Sequence, residues 1–282
     1  MTPLTGLTSA EASARYAAGQ HNRPPKPGTK SIREIWTGNL LSPFNLVISG
    51  ILLFLFAFWA ILVAILSTLI AAIGLILWRP DVLSKSADLL SDARLLATLT
   101  SIWNAAQIAG LVLLARLAHW PASSYLGLIR PSGRDTAVAL GALVLFIAGS
   151  DALTYLLGRD IVSPFQLTSY LSAQASQSLP VLWLGFVVVG PAGEEVMFRG
   201  FLYRGWIRSE RDVLPGLVVI SALWASMHVQ YDWFGIVQVF LMGLLLGVVR
   251  WQSGSATLTM LMHGLNNLWA ILETAAKVQW LS

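Results

Sequence analysis

At 282 residues, the chain has 56% hydrophobic side chains and only 11% charged ones, with 18 Lys and Arg against 14 Asp and Glu. Soluble domains carry about 25% charge, so this composition excludes an ordinary soluble fold and marks an integral membrane protein. The formal charge of +4 reads as basic loops beside anionic lipid rather than as a nucleic-acid footprint, and the absence of cysteine excludes disulfides, thiol nucleophiles and thiolate metal sites.

Residues 1–43 are a polar leader rich in Pro, Gly, Ser and Ala and carrying Arg15, Arg23, Lys26, Lys30 and Arg33. Such a composition predicts a largely disordered cytoplasmic segment, with Ser31 to Leu41 lying on the membrane surface and no cleavable signal peptide ahead of the first apolar run. Apolar runs of spanning length follow at 44–78, 96–118, 135–158, 179–208, 214–231, 234–251 and 256–278. They predict an all-α polytopic transmembrane helix bundle of about seven spans. The first run, at about 1.5 Å per residue, reaches ~52 Å as a helix, too long for one upright span and short for a hairpin. It reads as one long or tilted helix, with an eight-span hairpin as the alternative.

With the N-terminus inside, the leader cations and Arg116, Arg130, Arg134, Arg204, Arg208, Arg211 and Arg250 all fall on the cytoplasmic side. The implied location is a multi-pass membrane protein with a cytoplasmic N-terminus, in the plasma (inner) membrane if bacterial. Loops at 79–95 and 159–178 then lie outside and are polar enough to be solvated. Gly243 and Gly247 form a small-xxx-small pair that lets a neighbouring helix approach closely.

The polar exception in this oily chain is Gly190-Pro191-Ala192-Gly193-Glu194-Glu195-Val196-Met197-Phe198-Arg199-Gly200. Ionisable groups at membrane depth are expensive and mark function. Gly190-Pro191 predicts a break, with the acids in the first turn of a new half-helix. There Glu195 and Arg199, four apart, share a face, while Glu194 points about 100° away. Glu195 thus has a cationic partner, and Glu194 is free to face another helix.

Other polar side chains at depth are Asp151, His228, His263, Asn266, Asn267 and Glu273. Counted from the cytoplasmic helix ends at about 1.5 Å per residue, Glu194 and His228 lie ~21 and ~22 Å deep, His263 ~12 Å and Asn267 ~18 Å. These depths overlap enough for one buried polar pocket. His263 and Asn267 share a face, Asn266 faces elsewhere, and Trp224 sits four residues before His228, placing an indole beside the imidazole.

These groups suit activated water: Glu194 as general base, a histidine orienting the same water, and His or Asn donors for the oxyanion of a tetrahedral intermediate. A zinc site built from Glu and two His stays open as a second, disfavoured reading, because there is no His-Glu-x-x-His arrangement and Asn is a poor zinc ligand. No cofactor is expected.

Gly193-Glu194-Glu195 through Arg199 and on to Gly205 resembles the Glu-Glu-x-x-x-Arg motif of the CPBP (Abi) membrane family, which includes CAAX prenyl endopeptidases and bacteriocin-processing or self-immunity proteins. Ser221 to His228 is similar to its Phe-x-x-x-His motif, with Trp224 in place of phenylalanine, and His263 to Asn267 to its His-x-x-x-Asn motif. Tyr125-Leu126-Gly127-Leu128-Ile129-Arg130-Pro131 looks like the segment that often precedes the family domain.

The leader at 1–43 and the N-terminal transmembrane helices at 44–124 lie outside the resemblance, which implies a catalytic domain at 125–278. It also implies an intramembrane glutamate protease in which Glu194 and His228 activate water, His263 and Asn267 form the oxyanion hole, and Glu195, Arg199 and Trp224 support the site. The expected partners are the bilayer and a membrane-associated protein or peptide, prenylated in eukaryotic members, and no nucleic acid. The alternative is a non-catalytic immunity or peptide-binding protein. A transporter is disfavoured, because the polar groups crowd into one half of the chain and no inverted repeat is visible.

Overall fold

The computed structural model describes residues 6–19, 43–78 and 92–281, which are helical and contain no strand. By internal contacts the chain divides into residues 1–50 and 51–282. In the first unit, where no regular structure is expected, α1 (Ser9–Ala17) forms because Thr8 and Glu11 build a reciprocal capping box that satisfies the first free N–H groups. The surface segment expected at Ser31 to Leu41, and most of the loop expected at 79–95, lie outside the described residues.

The first apolar run is one helix, α2 (Pro43–Trp78). It is followed by α3 (Ala93–Leu117), a short turn α4 (Ala122–Tyr125), and α5 (Gly133–Leu156). Next, α6 (Pro164–Ala175) corrects the expectation of an irregular loop at 159–178. Ser163 and Gln166 form a capping box, and Pro164 supplies a preset φ at the first turn, enough to start a helix of 12 residues. Then come α7 (Leu179–Trp206), α8 (Val213–Ser226), α9 (Trp233–Ser253) and α10 (Ala256–Leu281).

Helices thus occupy all seven expected runs, giving a polytopic all-α bundle. Five of them, in α2, α3, α5, α7 and α9, are long and apolar enough to cross a membrane. The 14 residues of α8 fall short of the ~20 that a hydrocarbon core requires. The polar side chains of α10, from His263 to Lys277, lower its apolarity.

The most enclosed span is α7: half of its most apolar window is buried, against 11% for α5, whose Val144 and Leu145 point outward as lipid-facing side chains do. Its neighbours include α3 and α10, and α8 pairs extensively with α9. A Cβ on Gly243 would meet Ser221 Cβ at 2.9 Å and the Trp224 ring at 3.2 Å, so the small-xxx-small face does bring α9 onto α8.

Gly190-Pro191 does not break α7. Instead the helix widens to π geometry over Leu184–Val189 and again over Val196–Leu202, leaving a short α-helical turn, Gly190–Glu195, between them. Proline clashes with the fourth carbonyl behind it and has no N–H to give, and a wider turn relieves the clash without ending the helix.

Gly243→Ala is expected to cost about 1–3 kcal/mol by overpacking the α8–α9 contact. Thermal unfolding in detergent checks this, and an unchanged midpoint would contradict the close approach.

Candidate active site

The two acids of α7 separate completely. Glu195 is fully buried, and its Oε1 accepts from Arg199 Nη1 at 2.8 Å and from His263 Nδ1 at 3.1 Å. Arg199 is 1% exposed and gives Nη2 to the Gly243 carbonyl at 3.0 Å, which ties α7 to α9. Glu195 Oε2 and Arg199 Nε remain buried without a hydrogen-bond partner. Such a network tolerates no loss of one member, because the charge left behind has no water to solvate it.

Glu194 is only half-buried, and its Oε2 accepts the indole N–H of Trp224 at 2.6 Å. That indole, 2% exposed, is the hub of the site. The His228 ring meets it edge-on at 5.0 Å, the His263 ring at 5.2 Å, and the Arg199 guanidinium lies 4.5 Å from its centroid. Two neighbouring helices and one loop thereby converge on a single side chain of α8.

His228 is not within a helix, as its spacing from Trp224 suggested. The helix α8 ends at Ser226, and His228 caps it: Nδ1–H donates to the Trp224 carbonyl at 2.9 Å. A helix end leaves free carbonyls, and an imidazole N–H is a good donor to one of them. The bond also fixes the tautomer, because a carbonyl only accepts, so Nδ1 carries the proton and Nε2 keeps its lone pair in the neutral ring. Beyond it, Tyr231 stacks on His228 at 6.2 Å with an interplanar angle of 8°.

Asn267 hydrogen-bonds neither acid. Gly190 N–H reaches the Gly185 carbonyl, five residues back. One step further in that register, the donor for Phe186 would be Pro191, which has none. Asn267 Nδ2 fills the gap, donating to the Phe186 carbonyl at 2.8 Å, and retains one N–H. Asn266 bonds Asn267 Oδ1, while Glu273 accepts from Trp269 at 2.7 Å; neither Glu273 nor Asp151 joins the cluster around Trp224.

Asn104 and Gln107, both on α3, escaped the reading of polar groups at depth. They are 0% and 2% exposed, and Gln107 Nε2 donates to the Gly193 carbonyl at 3.1 Å. The available signal was two carboxamides three residues apart in an apolar run, hence on one face.

No group of three or more His, Asp and Glu positioned to hold a metal occurs among the described residues. Against known proteins, residues 176–269 match the family described as type II CAAX prenyl endopeptidase Rce1-like. Over that stretch the chain is similar to the Rce1-like family. The match takes in all three motifs around Trp224, while Tyr125 to Pro131 and the whole of α3 lie outside it. An uncharacterised 24.3 kDa protein of Escherichia coli is 26% identical over 129 residues, 44% of this chain. The aligned part is 57% of that relative's own length. No solved structure matches the chain significantly.

Within the matched stretch, Arg199→Leu is expected to destabilise the protein by about 3–5 kcal/mol, since it strands Glu195 in the interior. The loss should appear as a lower unfolding midpoint, and a midpoint at the wild-type value would show that the pair is dispensable.

Proposed function

We propose that this chain is an intramembrane endopeptidase that uses Glu194 to activate water against a peptide bond of a membrane-associated protein or peptide. The observation that carries the reading is the 2.6 Å bond from Trp224 Nε1–H to Glu194 Oε2, with two imidazoles against the same indole. It fixes one carboxylate oxygen and leaves the other for a water proton.

In this reading the water oxygen attacks the scissile carbonyl carbon while Glu194 takes one of its protons. His228 Nε2, free because Nδ1 is spent on the Trp224 carbonyl, accepts the second water proton as a hydrogen bond and sets the angle of attack. His263 donates from Nε2 to the developing oxyanion when its ring carries both protons, with Nδ1–H held by Glu195. The remaining N–H of Asn267 is the second donor. Collapse of the tetrahedral intermediate breaks the C–N bond, and the proton held by Glu194 passes to the leaving amine. The products are a new carboxylate and a new amine.

No metal is required by these steps, and metal-free hydrolysis belongs to the proposal. The matched family's description favours a lipidated, CAAX-type substrate, and the Lys and Arg distribution favours a cytoplasmic N-terminus.

Purified protein is expected to cleave a membrane-anchored peptide, with Glu194→Ala and His228→Ala each lowering kcat by about 100-fold or more. Chelator is expected to leave the rate unchanged. Full activity in both variants would overturn the assignment and favour a peptide-binding role, and loss of activity on chelation would replace metal-free chemistry with a metal site.

A further inference from the structure

Two fully enclosed carboxamides on α3 touch the catalytic turn from outside the Rce1-like stretch. Polar groups at membrane depth are costly, and an apolar pair of similar volume would pack as well. Asn104 Nδ2 is spent on its own helix, at the Thr100 carbonyl 2.9 Å away, while its Oδ1 is buried with no hydrogen-bond partner. That oxygen lies 2.0 Å from where a Cβ on Gly193 would be, and Asn104 Cβ lies 2.6 Å from the same point. The Asn104 side chain therefore fills the space that a side chain at 193 would take, and only glycine fits. Gln107, one turn further on, donates to the Gly193 carbonyl at 3.1 Å.

The carbonyl of residue 193 and the N–H of residue 194 belong to one planar peptide unit, so a bond to that oxygen fixes the plane from which the Glu194 side chain departs. Asn104, wedged against Gly193, blocks rotation of the same turn. At its other end the Glu194 carboxylate is held by the Trp224 indole. The turn also lies between two π segments, where the backbone ladder is least regular and most in need of an outside brace.

We propose that Gln107 and Asn104 are positioning residues for Glu194: α3 holds the Gly193–Glu194 peptide plane while α8 holds the carboxylate. The proposal rests on Glu194 being the catalytic base. It makes α3 part of the active unit, although neither the three motifs nor the family match includes it. Substitutions there should change the direction of the carboxylate without changing which groups surround the substrate.

The test uses Gln107→Met and Asn104→Leu, both close in size to the originals, in the full-length chain in detergent micelles. The first readout is the indole ¹H–¹⁵N resonance of Trp224, assigned through Trp224→Phe, which reports the bond to Glu194 independently of turnover. The second is the division between kcat and KM. The expected result is a displaced Trp224 resonance, with kcat lowered by about 10–100-fold and KM changed by less than about twofold. A displaced resonance in a protein that cleaves nothing even as wild type would support the positioning and sink the peptidase reading instead. An unmoved resonance with unchanged kcat in folded variants, or a lower unfolding midpoint alone, would overturn the proposal.

Discussion

The interaction on which the site depends is the buried contact of Glu195 with Arg199 and His263. Three ionisable side chains from α7 and α10 meet where water is excluded, each 5% exposed or less. Isolated, any one of them would be too costly to bury. Together they fix the helix pair, and Arg199 extends the tie to α9 through the Gly243 carbonyl. The same guanidinium lies over the Trp224 ring, so the indole that grips Glu194 is itself seated on the buried network. Two neighbouring acids thereby acquire opposite fates: one is consumed in holding helices together, and the other remains at the half-buried edge with one oxygen free.

The local geometry of α7 follows from one residue. Pro191 has no N–H and cannot sit in a regular α-helix without conflict at the carbonyls behind it. The π segment Leu184–Val189 absorbs that conflict and leaves the Phe186 carbonyl without a backbone donor. Asn267 supplies the missing bond, which draws α10 close and carries His263, one turn away, toward Glu195. A proline that would end a helix in water instead sets the register between two helices of the bundle.

Much of this was legible in the amino-acid order. All seven apolar runs became helices, and the pairing of Glu195 with Arg199 followed from their spacing of four. Depth counting put His263 and His228 at levels overlapping that of Glu194, and the spacing of four set Trp224 beside His228, although His228 itself lies past the end of α8. Other features depended on contacts between distant segments. The end of α8 at Ser226 turns on a His228 side chain capping a carbonyl, which a uniformly apolar pattern does not reveal. The survival of α7 through Gly190-Pro191 depends on a partner amide from α10. Gln107 and Asn104 belong to a run that looks like plain membrane span until its neighbour is known, and α6 was hidden behind a polar composition that suits a loop as well as a capped helix.

The central claim is that adjacent carboxylates divide the labour, Glu194 handling water and Glu195 holding structure. Its most direct test is to replace each in turn by the isosteric amide and measure both turnover and unfolding midpoint on the same samples. The account predicts that Glu194→Gln abolishes cleavage with a midpoint close to wild type, whereas Glu195→Gln lowers the midpoint sharply. The reverse pattern, with Glu194→Gln still cleaving or Glu195→Gln fully stable but inactive, would contradict it.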